Sequence, residues 1–189
     1  MRNIVVCILV FFFSIYIGHG QVAVVKESKF WIDAGPGAYN SGHTSGFTLY
    51  LGANLVFDST QYKLRTLLHD EFLLFGPSPS EKYYSVGALI GKGIYTRFIQ
   101  IQVSAGLGVT GGITRGDLLY TEPIGGGWFD FGDRRRFEEK RFFTPSIPIE
   151  IDLLITPFKF VGVGFSLFGE LNPKRPLYGA ALKLGIGKF

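Results

Sequence analysis

Cysteine is almost absent. The one cysteine, Cys7, lies in the apolar amino-terminal run, so the rest of the chain has no disulfide option and no thiol chemistry. Histidine is nearly as scarce, with three residues, and no CxxC, HExxH or calcium-loop spacing occurs. The sequence therefore implies no metal site and no cofactor. A large excess of one charge is also missing. Nineteen basic residues face 15 acidic ones, which gives no electrostatic footprint for nucleic acid despite a pI near 9.2. Beyond residue 17 there is no long apolar run, so no membrane-spanning helix is expected there.

The apolar run that does occur is amino-terminal. Arg2, an apolar core from Ile4 to Ile17, and Gly18-His19-Gly20 form the three-part plan of a secretory signal peptide, residues 1–20. A mature domain of residues 21–189 would follow. Removing Arg2 takes the formal charge from +4 to +3.

Glycine and aromatics are abundant, with 26 Gly and a 16% aromatic share; glycine alone is nearly twice its usual share of about 7%. The dominant sequence period is two, the period of strands. In residues 97–110, Ile99, Ile101, Val103, Ala105, Leu107 and Val109 share one face against Gln100, Gln102, Ser104, Gly106, Gly108 and Thr110. Residues 147–156 set Ile147, Ile149, Ile151, Leu153 and Ile155 against Glu150 and Asp152. Residues 159–171 and 177–187 repeat the pattern, with Gly162, Gly164, Ser166, Glu170, Gly179, Lys183 and Gly185 on the polar faces. Residues 29–39, 47–57, 61–75 and 83–91 supply four more segments. In the third, Lys63, Arg65, His69 and Glu71 oppose Tyr62, Leu64, Leu68, Phe72 and Leu74, and Asp70 interrupts the apolar face.

Eight strands result. Their non-apolar faces carry Gly, Ser and Gln with single charges, too small and too sparsely charged for an ordinary wet surface. They suit the lumen of a narrow barrel whose apolar faces meet lipid. Links alternate between short (58–60, 92–95, 157–159) and longer (40–45, 76–82, 111–143, 172–176), as outer-membrane barrels alternate turns with outside loops. The expectation is an all-β, eight-stranded antiparallel up-and-down transmembrane barrel, both mature termini periplasmic. A chain without an apolar helix can satisfy every backbone polar group in a bilayer only in such a closed form.

The signal peptide, the strand–loop alternation and the terminal "ALKLGIGKF" resemble the small eight-stranded outer-membrane barrels of Gram-negative bacteria, among them the outer membrane protein A transmembrane domain and the opacity-type barrels. The resemblance implies an outer-membrane protein, in contact with outer-membrane lipids and lipopolysaccharide. It also implies that the barrel assembly machinery reads Leu182, Leu184, Ile186 and Phe189 as an assembly signal, with Phe189 also anchoring at the lipid interface. Leu182, Leu184 and Ile186 share a phase that passes to Lys188, so Phe189 falls in the opposite one.

The residues expected in the lumen are Asp33, Lys63, Arg65, His69, Glu71, Gln100, Gln102, Glu150, Asp152 and Lys183. Three cations would meet four carboxylates there in a polar network that fills the barrel, although a small porin uses the same residue types. The long 111–143 stretch reads as an outside loop capping the barrel or as a hairpin extending its strands. Trp128, Phe129, Phe131, Arg134, Arg135 and Arg136 are its candidate binding surface, because aromatics and Arg dominate binding hot spots and Arg pairs well with phosphate. Arg115-Gly116-Asp117 matches an adhesion tripeptide. His43, with Ser41 and Ser45 nearby and Asp70 or Glu71 as an orienting acid, would be the centre of a lipid-modifying acyl hydrolase or transferase. The balance of these features is a monomeric structural or surface-interaction barrel, not an enzyme.

Overall fold

The structure, a computed structural model, describes residues 28–72, 77–96, 98–123 and 133–189. The expected signal peptide, Leu74 and the 124–132 segment with Trp128, Phe129 and Phe131 lie outside the described residues. The strands are β1 (Lys29–Asn40), β2 (Ser45–Phe57), β3 (Thr60–Glu71), β4 (Lys82–Tyr95), β5 (Ile99–Pro123), β6 (Asp133–Phe158), β7 (Val161–Leu171) and β8 (Leu177–Lys188). Each pairs antiparallel with the next, and β1 pairs with β8 to close the barrel.

Closure leaves no unpaired sheet edge around the barrel wall. Alternation then sorts the side chains. Ile32, Leu64, Ile90, Ile151 and Leu182 stand outward and exposed with the rest of the Leu, Ile, Val and Phe phase, while Lys63, Arg65, Gln102 and Glu150 are buried inside. A soluble protein does not expose a continuous apolar belt of this kind, whereas a bilayer covers it. The chain is a transmembrane barrel.

Register explains the glycines. Arg65 is paired with Gly52 on β2 and Gly87 on β4, and Asp33 with Gly52 and Gly185. In a lumen this narrow, a long charged side chain needs a neighbour without one. At the seam the strands come closer still: a Cβ on Gly35 would fall on the Leu182 carbonyl oxygen.

One end of the barrel has short turns. Asp58 and Ser59 both have positive φ, 45° and 68°, between the paired Phe57 and Thr60. This is the two-residue hairpin turn that matches strand twist. At this end β4 runs on through residues 92–95, so that expected link is strand, and β6 runs through Pro157 to Phe158 after a register shift, which leaves Lys159 of the 157–159 link as turn. The opposite end carries the long β5–β6 ribbon. Most of the stretch read as a 111–143 loop is strand: β5 and β6 stay paired from Ile99↔Ile155 to Pro123↔Asp133. Of the two expectations for this stretch, the hairpin is the one found.

Candidate functional site: the sealed lumen and its cap

The lumen is filled in layers. At the turn end Trp31, Val56 and Leu154 form an apolar plug with Tyr95 and Phe189 against it. The Phe189 ring centroid lies 5.3 Å from that of Trp31. This corrects the expectation of a lipid-interface anchor. Gly162 and Gly185 leave the slot that the ring fills, since a Cβ on either would come within 3.0 Å of it. Leu182, Leu184 and Ile186 face outward.

Above the plug lies an amide layer in which Gln61 donates to Asn54 at 2.7 Å and Gln102 to Gln100 at 3.4 Å. The ionic layer follows, with Glu150 as its hub. One Glu150 oxygen accepts from Lys63 at 2.8 Å, Tyr50 at 2.7 Å and Ser166 at 2.8 Å, with Lys183 at 3.5 Å; the other accepts from Arg65 at 2.9 Å. Asp152 takes short bonds from Lys63 and Lys183, and Arg65 also bonds Glu170, which Ser85 reaches at 2.8 Å. Asp33 pairs with Lys183 at 3.3 Å. The Lys183 ammonium also lies 4.7 Å from the centre of the Tyr50 ring.

Three cations face four carboxylates here, but the fourth is Glu170, whereas Glu71 was expected. Glu170 shares its phase with Ser166 and was legible as inward. Glu71 sits nearer the ribbon end and is drawn into the cap described below.

An aromatic layer comes next: Tyr39, Leu67, Tyr83, Phe168 and Leu177, with Phe142 packed on it. His69 lies in this layer. Its Nδ1 is 2.7 Å from the Thr48 hydroxyl, and its ring is 4.7 Å from Tyr39 and 6.1 Å from Phe168. It is a packed, hydrogen-bonded group.

The ribbon end is closed by a cap that the sequence reading missed. Glu81, in the segment between β3 and β4, is 2% exposed. It accepts from the Arg115 backbone N–H at 3.0 Å, from Arg175 at 3.2 Å and from the Tyr83 hydroxyl. Arg115 also donates to Glu71 at 2.5 Å, and Glu71 accepts from the Glu81 N–H at 2.9 Å. Burial works to raise the Glu81 pKa. The Tyr83 hydroxyl, the Arg115 N–H and the Arg175 and Arg115 guanidinium groups together hold it below the ordinary carboxylate value. Ser78 fastens the same segment to the ribbon: its N–H donates to the Arg135 carbonyl at 2.9 Å and its carbonyl accepts from Phe137 at 2.8 Å.

The remaining candidates are dispersed. Arg115 points into the cap and Asp117 pairs with Lys140 at 3.1 Å, so the tripeptide is part of a strand. Arg136 donates to Ser78 at 3.3 Å and Arg135 is exposed. Arg134 is in β6. Lys140 and Arg141 are paired with Glu138 and Glu139 at 3.3 and 3.0 Å, which spends much of the basic charge within the ribbon. His43 is exposed, while the Ser41 hydroxyl is 3.0 Å from that of Thr44 and Ser45 accepts from Asn40 at 3.0 Å. Asp70 turns outward to Lys82 at 3.1 Å. Ser41, Ser45, Asp70 and Glu71, expected around His43, are thus held by other partners.

No family model matches the chain, and neither does any curated protein sequence. Solved structures do. Neisserial surface protein A is similar at 13% identity and TM-score 0.56, over 86% of this chain and 97% of its own. The N-terminal barrel domain of Pseudomonas aeruginosa OprF matches at 14% and 0.56, over 86% and 99%. Ail, the attachment invasion locus protein of Yersinia pestis, matches at 14% and 0.52, over 88% and 100%, and has also been solved with the heparin analogue sucrose octasulfate. The fold is that of the small eight-stranded outer-membrane barrels.

Proposed function

We propose that this chain is a non-conducting barrel of the Gram-negative outer membrane, with the β5–β6 ribbon outside the cell and both mature ends in the periplasm, and that it acts as a structural and surface-interaction protein. The observation that carries this reading is the sealed lumen: an apolar plug, a buried ionic layer, an aromatic layer and a cap follow one another along the axis. Solute passage would require separating Lys63, Arg65 and Lys183 from carboxylates in a region of low dielectric, where breaking one such pair costs about 3–5 kcal/mol. What remains free to act is the ribbon, whose Leu118, Leu119 and Tyr120 stand exposed beside Arg135. Exposed apolar and aromatic groups next to Arg are the usual material of a contact surface. The fold shared with Neisserial surface protein A and Ail supports the surface reading. The outward phase of Leu182, Leu184 and Ile186 supports recognition by the barrel assembly machinery, and the closed wall supports a monomer.

The test is topological. Arg135→Cys introduces a thiol on the ribbon into a mature chain that has none. Labelling by a membrane-impermeant maleimide on intact cells is expected. Labelling that requires cell lysis reverses the orientation and removes the surface role.

A further inference from the structure

The two ends of the barrel differ in charge. Outside the lumen, the described carboxylate side chains gather at the ribbon end, with Asp70, Glu71, Glu81, Asp117, Glu138 and Glu139. Among the described residues the turn end keeps one, Asp58 of the β2–β3 turn, against Lys29, Lys92, Lys159 and Lys188.

Two of these lysines are brought together. The β6–β7 turn and the end of β8 are tied by main-chain bonds: the Gly187 N–H donates to the Phe160 carbonyl at 3.1 Å and the Phe189 N–H to the Lys159 carbonyl at 3.2 Å. Lys188 therefore lies beside Lys159, and both are exposed. Lys188 continues the lipid-facing phase of Leu184 and Ile186, with Phe30 as its register partner on β1. Lys159 stands between Phe158 and Phe160, whose rings lie 6.2 Å apart. Phe30, Phe158 and Phe160 are all exposed, as the rings of an interfacial belt are.

Neither the β6–β7 turn, nor β8, nor β1 up to Ile32 carries an acidic residue. Lys29, next to Phe30, adds a third cation, 5.5 Å from the centre of the Tyr95 ring. A main-chain carboxylate at Phe189 offsets one of the three and leaves cation in excess. Like charges gathered at one corner repel, so stability does not explain them. A lipid surface does. Lysine stems lie along apolar surface while their ammonium groups reach the headgroup level, where anionic lipid attracts them. A phosphoethanolamine headgroup brings its own ammonium against the lysines. A phosphodiester headgroup without a cation does not.

We propose that Lys159 and Lys188, framed by Phe30, Phe158 and Phe160, form a binding site for the phosphate of an anionic phospholipid of the phosphatidylglycerol type. The site rests on the reading that places the turn end at the periplasmic leaflet, the phospholipid leaflet of a Gram-negative outer membrane, and adds a ligand class to it. Its lipid character comes from Lys188, which stands on the face that meets the bilayer.

The experiment places the purified barrel in nanodiscs of equal parts phosphatidylglycerol and phosphatidylethanolamine, releases it in a native mass spectrometer and reads the lipid carried along. Severalfold enrichment of phosphatidylglycerol over the disc composition is expected. It should fall to that composition when Lys159→Met and Lys188→Met are combined. Lys159→Met alone, outside any strand, should lower it partway, and Lys82→Met at the other end should leave it unchanged. Retention at the disc ratio, or enrichment that survives the combined variant, makes the bound lipid merely annular and overturns the site. Retention of added inorganic phosphate in place of lipid overturns its lipid character. Equal retention of the two lipids, with cosedimentation of the barrel on purified peptidoglycan that the combined variant loses, assigns the lysines to the cell wall and overturns the site as well. Both leaflets of a nanodisc are alike, so this result does not depend on orientation in the cell, which the ribbon labelling decides separately. Heat-dependent gel migration of each sample shows that the barrel is folded: its presence with no enrichment sinks the lipid site alone, and its absence in the wild type sinks the barrel with it.

Discussion

Glu150→Gln keeps the size of the hub and removes its charge. In the wild type Glu150 holds Lys63 and Arg65 at 2.8 and 2.9 Å, has Lys183 at 3.5 Å, and accepts from Tyr50 and Ser166. All of these side chains are buried. The glutamine retains one acceptor oxygen, and its amide group turns two donors toward a site already full of donors. Asp152 still holds the two lysines and Glu170 still holds Arg65, so the loss is that of one member of a network. Removing one partner of a buried ion pair costs about 3–5 kcal/mol. The neighbouring carboxylates place this variant near 3 kcal/mol, the low end of that range. Urea unfolding in lipid vesicles, followed by tryptophan emission and by the heat-dependent gel band, reads the change. Glu139→Gln, on the exposed ribbon, is the control and should be close to neutral. A loss below about 1 kcal/mol for Glu150→Gln would refute the reasoning, because it would mean that the hub is hydrated and its charges are screened.

Other expectations follow from the plug, the seam and the cap. Phe189→Ala should uncover Trp31 from the turn end; in a Trp128→Phe background, acrylamide quenching of the remaining tryptophan should rise, and unchanged quenching would place the ring elsewhere. Gly35→Val should prevent closure of β1 on β8 and abolish the heat-shifted band, because the clash is with backbone. By contrast Gly42→Ala, with φ 77° and open space around it, should cost only about 1–2 kcal/mol. The cap should be sensitive to acid. Glu81 has a folded pKa below its unfolded value, so its contribution is complete above about pH 4.3, the ordinary glutamate value, and is lost as pH falls through the folded value. Exchange protection of the Ser78 and Phe137 amides should drop in acid, and Glu81→Gln should produce the same drop at neutral pH; protection indifferent to both would detach Glu81 from the cap.

The wall of this barrel was legible because strand alternation is simple geometry. A residue two positions from Lys63 faces the same way, and that argument places Arg65, Glu150, Asp152 and Lys183 in one lumen without any knowledge of contacts. Where the period fails, so does the reading. Leu118, Leu119 and Tyr120 are consecutive apolar residues, and register shifts flank Leu118, so the strand through this stretch keeps no simple alternation. Glu81 was invisible for another reason. Its burial comes from Arg115 and Arg175, 34 and 94 positions further on, and no local pattern encodes that meeting. Phe189 illustrates a third limit. Its phase was readable, but the slot that receives it depends on Gly162 and Gly185, partners across the β7–β8 hairpin, and on Trp31, which only closure of β1 on β8 brings beside them.

Planar-bilayer recording of the purified barrel tests the central claim most directly. The sealed lumen predicts a silent membrane at neutral pH over long recording at high protein load, in preparations that pass the heat-shift test for folding. Steady, reproducible single-channel steps from the same preparations would contradict it, and would turn the ionic layer around Glu150 from a plug into a gate.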